Sequence, residues 1–114
     1  MIDLQTEEIG PVAVIHFYGI LTRDTLRDAE EAWNDQLERR PEVLAFDFKG
    51  LSQIDSISIN HIFKLARTAS ERNMKLIIYD MNESLKKVFE VIRLDKVVEF
   101  VSKQKFEADY LKDV

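Results

Sequence analysis

The residues best suited to chemistry in this sequence lie within Val43–Arg72, VLAFDFKGLSQIDSISINHIFKLARTASER. Asp55, Ser56, Ile57 and Ser58 stand there between a strand-like pattern and a helix-like one. Val43, Leu44, Ala45, Phe46 and Phe48 form a nearly unbroken apolar run, as in a strand covered on both faces. Lys49-Gly50-Leu51-Ser52-Gln53 breaks the run. Apolar residues then return at Ile59, Ile62, Phe63, Ala66 and Ala69 with helical spacing. The Asp-Ser-Ile-Ser segment therefore falls at or just before a helix N-terminus. Short oxygen side chains there most commonly cap free backbone N–H groups. The other use is chemical: Ser56, exposed at the turn, offers a hydroxyl that can be covalently modified.

Other chemistries lack their residues. Ser56 is not in a Gly-x-Ser-x-Gly elbow, and neither His16 nor His61 is obviously placed as its base, so no catalytic residue is assigned. The chain has two histidines, no cysteine and no His-x-x-x-His spacing, which leaves no metal site, and both histidines read as structural. Only three glycines occur, all isolated, and Gly-x-x-x-x-Gly-Lys is absent, so no phosphate-cradling loop and no cofactor is expected. A receiver-type domain accepting phosphate on Asp47 or Asp55 would need an acidic cluster after the first parallel strand, where Gly19-Ile20-Leu21 offers none. Trp33 shares helical spacing with Leu26, Ala29 and Leu37 and reads as packing rather than as a ligand platform.

At 114 residues with 46% hydrophobic content, the chain is expected to be a single domain with one modest core. Lysine and arginine total 16 against 21 acidic residues, a formal charge of −5, which disfavours binding to nucleic acid or anionic membrane. No window reaches the length of a membrane span and no signal peptide opens the chain, so a cytoplasmic protein is expected.

The positioning elements follow in order. Ile2–Thr6 alternates as an edge strand, Glu7-Glu8-Ile9-Gly10-Pro11 reads as a turn, and Val12–Tyr18 as a second strand, the two forming a hairpin. Gly19–Thr22 leaves that strand, and Thr22 or Asp24 caps a helix that ends at Glu38-Arg39-Arg40 before Pro41. The central strand and helix come next, closed by Asn73 as a C-cap, and then a strand at Lys75–Tyr79. Asp80-Met81-Asn82-Glu83-Ser84 is a polar joint into a third helix carrying Leu85, Val88, Phe89 and Ile92. Val97–Val101 reads as a short last strand and Gln104–Lys112 as a terminal helix.

This order implies an α/β fold: a mixed sheet of about four to five strands, an edge hairpin beside a parallel centre, flanked by about four helices. Strand-to-helix loops gather at the carboxyl ends of such strands. The joints Gly19–Asp24, Gly50–Ser58 and Asp80–Ser84 then place Ser56 at the centre of one face, with Thr22, Asp24, Asn82 and Ser84 nearby.

The segments VIHFYGILT, VLAFDFKGLSQIDSIS, KLIIYD and NESLKKVFEVIRLDKVVEF resemble, in that order, the STAS domain of the bacterial anti-sigma factor antagonist family. The likeness runs from about Val12 to Phe100. It implies a regulatory protein whose serine after the loop Asp, here Ser56, is phosphorylated by an anti-sigma factor that doubles as a serine kinase. It further implies a PP2C-type phosphatase as a second partner, and a contact face of Thr22, Asp24, Asp55, Ser56, Ile57, Ser58, Asn82 and Ser84. The family loop ends Asp-Ser-x-Gly; here Ser58 replaces the glycine and Thr22 replaces the Asp of Gly-x-Leu-Asp. These departures leave a second expectation open, a STAS-type docking subunit of a signalling or transport complex that is not phosphorylated.

Overall fold

The computed structural model describes residues 1–92 and 98–112. Five strands form one sheet in the order β1-β2-β3-β4-β5. They are β1 (Ile2–Ile9), β2 (Val12–Leu21), β3 (Val43–Ile54), β4 (Lys75–Tyr79) and β5 (Glu99–Val101). β1 and β2 pair antiparallel as a hairpin, and every later pairing is parallel. The helices are α1 (Leu26–Arg39), α2 (Ser56–Glu71), α3 (Glu83–Ile92) and α4 (Lys103–Phe106), the last continuing as a π-helical segment over Glu107–Leu111. The α/β architecture with its mixed sheet and four helices is the expected one.

Successive side chains of a strand point to opposite faces, so a sheet covered twice needs apolar residues at both parities. Ala13, Ile15 and Phe17 of β2 join Leu44, Phe46 and Phe48 of β3 on one face. There they meet Trp33 and Leu37 of α1, Ile59 and Ile62 of α2, and Leu85 and Phe89 of α3. Val12 and Val14, Val43 and Ala45, and Ile77 and Tyr79 form the other face under Phe106. The Phe106 ring stacks on Tyr79 with centroids 5.0 Å apart. Burying both faces is what makes Val43–Phe48 apolar at both parities, with Asp47 alone interrupting the run.

Several boundaries differ from those expected. Glu7, Glu8 and Ile9 belong to β1, paired with Val14, Ala13 and Val12, and the turn shrinks to Gly10-Pro11. Exposed residues of an edge strand need no apolar character, so charge there does not signal a turn. β2 runs on through Gly19, Ile20 and Leu21 rather than leaving the sheet at Gly19. β3 likewise runs on through Lys49–Ile54, pairing with the end of β2 across two register shifts. β4 stops at Tyr79, opposite Asp47, so this extension has β2 alone as a neighbour. Lys49, Gly50, Ser52 and Gln53 are exposed while Leu51 is buried, and the sequence reads as a loop.

Neither Thr22 nor Asp24 caps α1. Thr25 is the residue at the N-cap, and its hydroxyl serves the preceding loop instead: Oγ1 accepts from the Thr22 N–H at 3.0 Å and donates to the Ile20 carbonyl at 2.8 Å. Asn73 lies one residue past the actual C-cap of α2, Arg72, in the left-handed region at φ 60°. The terminal helix begins at Lys103. Val97, expected in the last strand, lies outside the described residues, and β5 starts at Glu99.

Candidate functional site

Asp55 organises the end of the sheet where α2 begins. Its backbone is extended, which turns the chain out of β3, and its side chain caps the helix: the Ser58 N–H donates to Oδ1 at 2.8 Å. The Arg23 N–H donates to Oδ2 at 2.8 Å, and the Asp55 N–H donates to the Leu21 carbonyl at 3.2 Å. One carboxylate thus holds both the start of α2 and the loop between β2 and α1. Partial burial disfavours the Asp55 charge, but the N–H groups of Ser58 and Arg23 outweigh it and hold its pKa below the ordinary carboxylate value.

The third joint is tied in by Asn82. Its Oδ1 accepts from the Leu85 N–H at 2.9 Å, capping α3, and its Nδ2 donates to the Leu51 carbonyl at 3.4 Å. Ser52 Oγ donates to the Gly19 carbonyl at 3.0 Å, fastening the ends of β2 and β3. The three strand-to-helix joints are therefore linked to one another through main-chain atoms.

Ser56 is the first residue of α2 and is exposed, and Ile57 beside it is 41% exposed, high for a large apolar side chain. Asp24, Asn82 and Ser84 are exposed and Thr22 is half-buried. Ser58 differs from all of these, being 0% exposed. Its Oγ has no hydrogen-bond partner of good geometry among the described residues, although its closeness to Asp55 helps to hold that carboxyl's pKa down. Arg23 and Thr25 also build the site but were not expected in it. Arg23 acts through its backbone, which no side-chain motif encodes. Thr25 lies three residues after Thr22, a spacing that suits a hydroxyl bracing its own turn.

His16 is half-buried between Glu7 and Asp47 on the sheet, and His61 Nδ1 lies 3.3 Å from Glu30 Oε2 between α2 and α1. Among the described residues no group of three or more His, Cys, Asp or Glu is arranged to hold a metal ion, and no helix is long and apolar enough to cross a membrane.

The family model for the STAS domain matches residues 3–108. The chain belongs to the STAS domain family. No curated protein matches it by sequence. Among solved structures, this STAS domain is similar to an anti-sigma factor antagonist from Mycobacterium paratuberculosis, at 15% identity and TM-score 0.80, covering 88% of this chain and 85% of that one. It is similar to the Bacillus cell fate determinant SpoIIAA in its phosphorylated form, at 16% identity and TM-score 0.73, covering 96% and 100%. It is also similar to a sulfate transporter family protein from Wolinella succinogenes, at 15% identity and TM-score 0.72, covering 87% and 84%. At these identities the likeness establishes the fold, which antagonists and a transporter protein share.

Proposed function

We propose that this STAS domain is a cytoplasmic regulatory docking module of the anti-sigma factor antagonist kind, switched by phosphorylation of Ser56. The observation that carries the reading is the exposed Ser56 hydroxyl at the first position of α2, next to the exposed Ile57 side chain. The partner is an anti-sigma factor with serine kinase activity, which transfers the terminal phosphoryl group of a nucleoside triphosphate to Ser56 Oγ, the nucleoside diphosphate leaving and the hydroxyl proton being released. A PP2C-type phosphatase removes the group by hydrolysis, releasing inorganic phosphate. Ser56 and Ile57 form the centre of the contact, with Thr22, Asp24, Asn82 and Ser84 around it. Asp55 holds the loop in place and Ser58 packs beneath.

Charge explains the switch. A phosphoserine adds about −1.5 to −2 charge and three acceptor oxygens. At a helix N-terminus that charge meets the positive end of the dipole and free N–H groups, so the domain itself keeps its fold. The partner bears the cost: a dianion beside Asp55, on a chain of net charge −5, replaces the small neutral hydroxyl it had packed against. Docking is lost without refolding.

Intact mass and phosphopeptide analysis of the protein from its native cells, wild type against Ser56→Ala, tests this reading. The expected result is a single phosphate that disappears with Ser56→Ala. A phosphate retained on Ser56→Ala, or none under several growth and stress conditions, overturns the switch. The second reading, a docking subunit of a signalling or transport complex that is never phosphorylated, is favoured by the likeness of the fold to the sulfate transporter family protein and by Ser58 standing where the family motif has glycine.

A further inference from the structure

His16 lies on the face of the sheet opposite α1–α3, and nothing in the docking site uses it. Its Nδ1 is 2.7 Å from Asp47 Oδ2 on β3, and its Nε2 is 2.7 Å from Glu7 Oε1 on β1. Asp47 is the direct ladder partner of His16, whereas Glu7 is the partner of Val14 and reaches His16 diagonally. A neutral imidazole has one donor nitrogen and one acceptor nitrogen, while an ionised carboxylate only accepts. Satisfying both carboxylates therefore takes a second proton. Imidazole is the more basic partner, by about two pH units, so that proton belongs on the ring.

The surroundings favour the charged ring. Tyr79 of β4 lies near the same cluster, and its phenol is pushed up first by burial and then by the charges of Asp47, Asp80, Glu7 and Glu107. The carboxylates acting on this cluster come from Glu7 of β1, Asp47 of β3, Asp80 after β4 and Glu107 of the terminal segment, while Lys49, two residues along β3, donates its main-chain N–H to Asp47 Oδ1 at 3.0 Å. Burial alone disfavours the imidazolium, but the hydrogen bonds and charges of Asp47 and Glu7 outweigh it, and the His16 pKa lies above the ordinary value.

We propose that Glu7, His16 and Asp47 form a proton-operated clamp that fastens the edge strand β1, across β2, to the parallel centre of the sheet. With the ring protonated, both bonds form and the clamp is closed. When the proton leaves, the neutral ring keeps one donor. Asp47 retains it, because its side chain is only 13% exposed against 59% for Glu7 and it has less access to water. A nitrogen lone pair then faces the Glu7 carboxylate, and Glu7 turns out into solvent. A closed clamp raises stability fully below the unfolded histidine pKa of about 6.5. That contribution is lost as pH rises through the higher folded value.

The experiment is an NMR pH titration of the imidazole in the intact wild-type protein, reading the His16 ring carbon and nitrogen shifts. A midpoint above 6.5, with both ring nitrogens protonated below it and Nδ1 still protonated above it, is expected. Glu7→Gln, which removes the exposed carboxylate, should lower the midpoint by a few tenths of a pH unit. Urea midpoints should fall as pH rises through the titration in wild type, but not in His16→Gln. A wild-type midpoint at or below 6.5, or one that Glu7→Gln leaves in place, overturns the clamp. Both observations stand even if His16→Gln fails to fold.

Discussion

Asp55 Oδ2 accepts the Arg23 N–H at 2.8 Å, so the carboxylate that caps α2 also anchors the loop leading into α1, thirty-two residues earlier in the chain. Asp55→Ala removes both bonds at once. Loss of an N-cap costs ~1 kcal/mol, and the freed Arg23 N–H adds to it, for a total of about 1–2 kcal/mol in urea denaturation. The effect carries a pH signature. The folded pKa of Asp55 is lowered, so its contribution is complete above the ordinary value of 3.8 and is lost as pH falls through the folded value. The stability difference between wild type and Asp55→Asn should therefore narrow in acid. A difference that is constant down to the lowest pH at which the protein folds would refute the assignment.

Ser56 is exposed, and its replacement should leave the fold untouched. Ser56→Ala is expected within about 0.5 kcal/mol of wild type. Ser56→Asp places a carboxylate in the first turn of α2 and should gain about 0.3–1 kcal/mol through the helix dipole, less at high salt. Thermal melts at two salt concentrations check both values. A large loss for either variant would mean that Ser56 is structural, and binding data on it would then need another explanation.

Ser58 carries a wholly buried hydroxyl without a well-formed hydrogen bond. Ser58→Ala removes that burden and improves helix propensity, for an expected gain of about 0.5 kcal/mol. Ser58→Gly, which restores the family residue, should fall about 0.5–1 kcal/mol below Ser58→Ala through backbone entropy. Ala above both Ser and Gly in chemical denaturation is the expected result, and Ser above Ala would show that the hydroxyl has a partner.

Gly50 is pinned by its neighbours. A Cβ there would lie 2.6 Å from Tyr18 Cδ1 and 2.8 Å from the Phe17 carbonyl oxygen. Gly50→Ala should cost about 1–3 kcal/mol, as overpacking does. Adding Tyr18→Ala relieves only the ring contact, because the Phe17 oxygen is main chain. A double-mutant cycle should accordingly show partial rescue; complete rescue would place all of the strain on the tyrosine.

Helices α1 to α3 and strand β4 are legible in the sequence because each buries one continuous apolar stripe or a short apolar run. The site is legible where side chains do the work: Asp55 has the residue type and position of an N-cap, and Ser56 falls beside it. The far ends of β2 and β3 are not, since Lys49, Gly50, Ser52 and Gln53 have lost the neighbour that keeps the strand apolar. The α1 cap misleads because the Thr25 hydroxyl bonds backwards. The grouping of Glu7, His16 and Asp47 depends on the ladder register, and a diagonal contact between strands leaves no spacing to read.

The outer edge of β1 has no neighbouring strand within the sheet and presents a row of main-chain donors and acceptors. A second copy adding antiparallel about a two-fold at Gln5 would bring Asp3 of each chain opposite Glu7 of the other, both carboxylates on one face. Like charges facing across strands are destabilising. The same acidic residues that blur the end of β1 in the sequence thus act as gatekeepers, guarding the longest open edge of the sheet against runaway self-association.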